Sequence, residues 1–131
     1  MTLASKTVLQ AQEQELKQAV ESALKFAEKA GASAEVSVTK VTGLSISTRL
    51  TETENIEFNN DGSLGISVYI GKRKGNASTS DLQPKSIQQA VESALAIAKY
   101  TSEDECAGLA DKEMMAFEAP DLELYHQAEI D

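Results

Sequence analysis

The chain is short of the side chains from which most metal and nucleophile sites are built. One cysteine, one histidine and no tryptophan occur in 131 residues. A single cysteine, Cys106, excludes an intrachain disulfide. A single histidine, His126, excludes a His-Glu-x-x-His zinc helix and any two-histidine metal site within one copy of the chain. Long apolar runs are also missing: stretches such as Ala94 to Ala98 are about a quarter of what a membrane helix needs, so no transmembrane segment is expected. Positive charge is scarce, with 12 Lys and Arg against 21 Asp and Glu and a formal net charge of -9. That balance repels a bare phosphate backbone and an anionic lipid surface at long range, so neither direct nucleic-acid binding nor membrane binding is expected. The start, Met1-Thr-Leu-Ala-Ser-Lys6, lacks the charged-then-apolar pattern of a secretory signal. Together with the lone cysteine this points to a reducing, cytoplasmic setting.

What is present describes a folded domain. Hydrophobic residues make up 41% and charged residues 25% of the chain, far from the composition of a disordered segment. From about Val8 to Ala30, the positions Leu16, Ala19, Val20, Ala23, Leu24 and Ala27 recur at three- and four-residue spacing and Gly31 follows, which predicts an amphipathic helix with a C-terminal glycine cap. Ala34, Val36 and Val38 alternate with polar residues, and Thr42-Gly43 reads as a turn into a second strand with Leu44, Ile46, Thr48 and Leu50. After a polar joint at Thr51-Glu52-Thr53, a third strand carries Ile56 and Phe58 on one face and ends at the turn signal Asn59-Asn60-Asp61-Gly62. Leu64, Ile66, Val68 and Ile70 form the cleanest alternation and are expected in the central strand; Gly71 to Gly75 reads as a basic turn, and Asn76 to Ser80 as a polar edge strand. Pro84 suits the first turn of a second helix whose buried stripe is Ile87, Ala90, Val91, Ala94, Leu95 and Ala98.

The expected fold is therefore α+β, an α/β two-layer arrangement: an about five-stranded, largely antiparallel or mixed sheet with two amphipathic helices on one face. The run Gln18-Ala-Val-Glu-Ser-Ala-Leu24 recurs identically as Gln89 to Leu95, one small apolar face suited to the same sheet twice. A duplication would need a second register between the copies, and a solenoid a third copy; neither is present. Residues 1–103 read as the folded domain, and residues 104–131 as a connector toward a further domain, apolar at Leu122, Leu124, Tyr125 and Ile130.

Candidate sites each have a plainer reading. A Ser-His-Asp arrangement through His126 lacks a nucleophile elbow. Gly71 to Gly75 lacks the spacing and following helix of a phosphate loop, so it is read as a hairpin tip. Asn59 to Gly62 lacks the spaced ligands of a calcium loop. Glu52, Glu54 and Glu57 are read as solvated carboxylates on a polar strand face, and the acidic surroundings of Cys106 are wrong for a thiolate nucleophile. No catalytic, cofactor or metal residue is assigned. Lys72, Arg73 and Lys74 remain: three adjacent cations on an acidic chain, expected to contact an acidic partner surface or a peptide.

The block from Glu54 to Leu82 resembles the strand-rich region near the N-terminus of the PmbA/TldD metallopeptidase family, in its PmbA/TldE-type members. The resemblance extends to Ala34-Glu-Val-Ser-Val38, Ser45 to Arg49, Ala98-Lys-Tyr-Thr-Ser102, Cys106 to Glu113 and Pro120 to His126. Gln127 departs from it, standing where relatives often carry proline. Family members are several times longer, with an N-terminal α/β domain before a larger strand-rich one, so the resemblance implies an isolated first domain. It also implies a two-subunit assembly in which a TldD-type subunit holds the zinc and the TldE-type subunit lacks a complete metal site. Such a pair degrades unfolded or short polypeptides and trims peptide precursors. Some relatives bear the label "modulator of DNA gyrase", which the charge balance does not support as DNA contact. No catalytic position of the family maps onto a residue of this chain. Two readings compete: a non-catalytic domain of a peptidase assembly, and a free-standing interaction module with the same fold.

Overall fold

The ladder between the first two strands runs straight through two of the places where the sequence predicts a turn, Thr42-Gly43 and Asn59 to Gly62. The structure, a computed structural model, describes residues 3–122 and 124, with side chains from Gln10 onward. His126, Tyr125, Gln127 and Ile130 lie outside the described residues. Element order is helix α1 (Leu3–Lys29), strands β1 (Ser33–Arg49), β2 (Glu52–Ile70) and β3 (Arg73–Thr79), helix α2 (Pro84–Tyr100) and a short 3-10 turn at Lys112–Met114. The sheet has three strands in the order β1-β2-β3, antiparallel throughout.

Three strands replace the five expected, because the two anticipated turns face each other across one ladder. Lys40 pairs with Gly62, Thr42 with Asn60 and Gly43 with Asn59, so each supposed turn is held extended by the other. Neither Gly43 nor Gly62 adopts positive φ. The chain reverses instead at Leu50-Thr51, where φ is 49° and 70°. Two successive positive φ values are what a mirror-image two-residue hairpin turn requires, and here they fall on residues without the usual Asn or Gly. A register shift between Ser47 and Thr48 adds a bulge just before it.

The second hairpin is also tighter than expected. Its turn is Gly71-Lys72 alone, with Ile70 paired to Arg73, so Arg73, Lys74 and Gly75 belong to β3. Gly71 has φ +60°, at the first turn position, where a side chain is strained. β3 is an edge strand, as its polar sequence implies.

Both helices pack on the sheet face that carries Leu64, Ile66 and Val68. The buried cluster joins these residues to Ala19, Ala23 and Ala27 of α1 and Ile87, Val91, Ala94 and Ala98 of α2. The repeated heptapeptide thus buries corresponding alanines in both helices. The large fully buried side chains, Leu64, Ile87, Val68 and Val91, each stabilise the fold by about 1.5–3 kcal/mol relative to exposure. Helix α1 starts earlier than its apolar pattern indicates and ends as expected, with the Gly31 N–H bonded to the Glu28 carbonyl at 2.9 Å. Pro84 occupies the first turn of α2, where its missing N–H costs nothing. No helix among the described residues is long and apolar enough to cross a membrane.

β1 and β2 continue well past the helices. Residues 41–61 form a two-stranded arm on which Val41, Leu44, Ile46, Leu50, Ile56 and Phe58 are all exposed.

Candidate functional site

The three cations singled out by the sequence sit where the second hairpin meets the segment leaving α2. Thr101 closes that helix, its N–H and its hydroxyl both donating to the Ile97 carbonyl at 3.0 and 2.8 Å. The chain then turns back against the hairpin. The Asp104 N–H donates to the Lys72 carbonyl at 2.9 Å, and Lys72 Nζ reaches the Ala107 carbonyl at 3.5 Å. Arg73 Nη1 donates to the Lys99 carbonyl at 3.1 Å while its Nη2 lies 3.4 Å from Glu103 Oε1. Lys74 Nζ stands 5.5 Å from the centre of the Tyr69 ring. Tyr69 pairs with Lys74 and faces away from the helices, yet is buried. It is covered by the post-helix segment, which with Tyr69 and Lys74 lines an open, polar cavity of about 310 Å³.

All three cations therefore have contacts inside the chain. Lys72 holds the segment after α2 against the hairpin, Arg73 ties the hairpin to the end of α2 and to Glu103, and Lys74 lies over an aromatic ring. The segment is further shaped by Asp104, whose carboxylate accepts from the Cys106 N–H at 2.9 Å and whose carbonyl accepts from the Ala107 N–H at 2.9 Å. Cys106 is exposed.

Among the described residues, the remaining sequence candidates are not brought together into a catalytic group; His126 lies outside them. Glu52, Glu54 and Glu57 lie near the arm's tip, Glu54 within 3.5 Å of Arg49 Nη1 and Glu57 accepting from Asn55 at 2.9 Å. Asn59 to Gly62 is ladder rather than loop. Among the described residues no three His, Cys, Asp or Glu side chains lie close enough to hold a metal ion. These residues do not fit a zinc centre.

Among the described residues, Asp81 is the carboxylate held below its ordinary range. The Ser86 hydroxyl at 2.6 Å and the Gln83 N–H at 3.0 Å both donate to it and favour the ionised form. It organises the entry to α2.

Sequence reasoning missed the apolar face of the arm. Leu44 lies opposite Phe58 and Ile46 opposite Ile56, on the face that carries Leu64, Ile66 and Val68 nearer the helices. The signal was present: the alternation of β1 continues to Ile46, farther than a sheet this small can cover.

The sequence has close relatives. The family described as PmbA/TldA metallopeptidase domain 1 matches residues 34–98. A metalloprotease PmbA homolog of Haemophilus influenzae is 70% identical over 127 residues, which is 97% of this chain and 28% of the relative. Metalloprotease PmbA of Escherichia coli O157:H7 is 54% identical over 132 residues, 99% of this chain and 29% of the relative. TldE from Thermococcus kodakarensis superposes with a TM-score of 0.63 at 25% identity, over 84% of this chain and 25% of that one. A protein of Bacteroides thetaiotaomicron described as a modulator of DNA gyrase gives 0.71 at 27% identity, over 83% and 25%. The chain thus spans under a third of the length of the relatives it matches. With near-complete coverage of this sequence at such identity, the chain belongs to the PmbA/TldD metallopeptidase family, as a PmbA/TldE-type first domain.

Proposed function

We propose that the chain is the non-catalytic N-terminal domain of a PmbA/TldE-type subunit, which works in the cytoplasm with a TldD-type subunit that holds a catalytic zinc. The assembly cleaves unfolded or short polypeptides and peptide precursors. The observation that carries this reading is the 70% identity to a PmbA metalloprotease homolog over 97% of the chain but only 28% of the relative. Identity of that level supports the same role for the same domain. Assigning the metal to the partner is supported by the donor set, since one histidine and one cysteine in the sequence give little for zinc to bind.

Within the assembly, residues 1–103 form the folded domain and residues 104–131 lead onward from it. Lys72, Arg73 and Lys74 present to an acidic partner surface or an entering peptide the charge that their internal contacts leave exposed. Arg73 stays partly open to solvent despite its ion pair.

The test is reconstitution. The protein as it occurs in the cell is purified with and without a TldD-type subunit, and each preparation is given an unfolded polypeptide. Metal-dependent cleavage is expected from the pair and not from this domain alone. Turnover by the isolated domain that survives repurification, with one tightly bound metal per chain, would sink the non-catalytic assignment. Failure of the two subunits to associate would favour a free-standing interaction module.

A further inference from the structure

The cavity beneath the segment that leaves α2 is held open by defined bonds. Its floor is Tyr69 and Lys74, paired across β2 and β3, and its roof comes from residues 101–108. The roof is fixed by the Asp104 N–H, which donates to the Lys72 carbonyl at 2.9 Å, and by the Ala107 N–H, which donates to the Asp104 carbonyl at 2.9 Å. The Asp104 carboxylate accepts from the Cys106 N–H through Oδ1 at 2.9 Å, leaving Oδ2 open. The described chain runs on through Leu122, yet no residue after Gly108 lines the cavity.

Tyr69 indicates that something binds there. The residue is 8% exposed, and its hydroxyl has no hydrogen-bond partner among the described residues. Among those residues no polar side-chain atom sealed from solvent lacks a partner, so this hydroxyl is reached through the small part of Tyr69 left open, which lines the cavity. A phenol buried to this degree ordinarily finds a partner, and here the place for one is vacant of protein. Lys74 is in a similar condition: its ammonium stands 5.5 Å from the ring centre and has neither an ion pair nor a hydrogen bond among the described residues. The Ser102 hydroxyl, also on the cavity wall, is unbonded as well.

Charge and size select the ligand. Lys74 and Asp104 line one cavity without closing into an ion pair, so the site offers a cation and a carboxylate at separate places. A simple anion would meet Asp104 and a simple cation would meet Lys74, whereas a molecule carrying both charges satisfies both. A volume of about 310 Å³ lies at the lower end of small-molecule sites and leaves no room for a nucleotide. We propose that the cavity binds a small zwitterion, a free α-amino acid. Its carboxylate accepts from Lys74 Nζ and the Tyr69 hydroxyl, and its ammonium donates to the Asp104 carboxylate and the Ser102 hydroxyl. This gives Lys74 a ligand of its own and does not rest on the peptidase role proposed above.

The test uses the protein at its full cellular length, so that every other part of the polypeptide able to enter the cavity is present. Calorimetric titration with the free L-amino acids of proteins, one at a time, should give saturable binding for at least one. Its N-acetyl derivative and its amide, each lacking one of the two charges, should bind about tenfold or more weakly. Tyr69→Phe keeps the ring under Lys74 and removes only the hydroxyl; it should weaken binding of the same amino acid about tenfold. Asp104→Asn, whose Oδ1 still accepts from Cys106, should weaken it at least as much. No binding by any amino acid overturns the proposal, as does equal affinity for the singly charged derivatives or unchanged affinity in Tyr69→Phe. Tighter binding of a free dipeptide than of its component amino acids overturns it too, because the site would then take peptide ends. A ligand-free Tyr69→Phe protein that melts much earlier than the parent also overturns it, since the hydroxyl would then have a partner elsewhere in the full-length chain.

Discussion

Gly75 of β3 lies directly against Ala94 of α2, so close that a Cβ at Gly75 would overlap the Ala94 carbonyl oxygen and stand 2.6 Å from the Ala98 nitrogen. Both obstacles are helix backbone and cannot rotate away. This glycine sets how near α2 approaches the sheet, and the buried Ala94 and Ala98 continue the same close contact.

Gly75→Ala should therefore destabilise the domain severely, at or above the usual 1–3 kcal/mol for overpacking, whereas Gly43→Ala, with nothing within 4 Å, should be nearly silent. Urea unfolding of the two variants side by side measures the difference. Equal midpoints would show that α2 does not sit on β3 in this way.

Val68→Asp should abolish folding while Lys72→Asp is tolerated. Val68 is fully buried in the central strand, and an unpaired carboxylate there costs several kcal/mol, comparable to a small domain's whole stability. Lys72 loses one long, exposed hydrogen bond. Circular dichroism melts that coincide for the two variants would contradict the placement of β2.

The contrast between these positions shows what could be read from the sequence. The stripe Ile87, Ala90, Val91, Ala94, Leu95 and Ala98 is buried or half-buried as its spacing predicts, and Leu64, Ile66 and Val68 are the core of the central strand. Burial periodicity is a local property, so it survives without knowledge of partners. Turn chemistry misled, because Gly43 and Asn59 tolerate a turn without requiring one, and their pairing opposite each other is decided by the ladder. The reversal at Leu50-Thr51 carries neither Gly nor Asn and shows in the sequence only as the polar joint at Thr51-Glu52-Thr53. The role of Lys72 and Arg73 in holding the end of α2 and the segment after it depends on residues about 30 positions later, which no local pattern reveals.

Replacing the real turn with residues suited to it should stabilise the arm. Leu50 and Thr51 occupy left-handed backbone at a cost of about 1–2 kcal/mol each, which Asn and Gly largely avoid. Leu50→Asn/Thr51→Gly should raise the unfolding midpoint of the domain or the exchange protection of the amides flanking the turn. A loss of both would mean that the hairpin turns elsewhere.

Asp81 links stability to pH. Its folded-state pKa is held below the ordinary value of 3.8, first by the Ser86 hydroxyl and then by the Gln83 N–H, so it stabilises the fold at pH values above 3.8. That contribution is lost as pH falls through the folded-state value. Asp81→Asn should melt earlier than the parent at neutral pH, and the gap should narrow as pH falls below 3.8 and through the folded-state value. A gap that persists unchanged in acid would show that the effect is packing and not charge.

The basic hairpin end has two roles to separate. Its internal role predicts that reversing Lys72, Arg73 and Lys74 to glutamate replaces the Arg73 ion pair with two facing carboxylates, one of them Glu103, and frees the segment after α2. The core should melt almost as before, since an exposed ion pair contributes at most about 1 kcal/mol. The readout is hydrogen exchange at the Asp104 amide, which is bonded to the Lys72 carbonyl and should lose protection. Its external role predicts slower, salt-dependent association with a TldD-type subunit or slower peptide cleavage, because an attractive patch on an acidic chain has been inverted. The two readouts are independent. Unchanged exchange at Asp104 removes the internal clamp, and unchanged association and cleavage at low and high salt remove the partner contact. Loss of protection alone would place the function of these three cations within the domain.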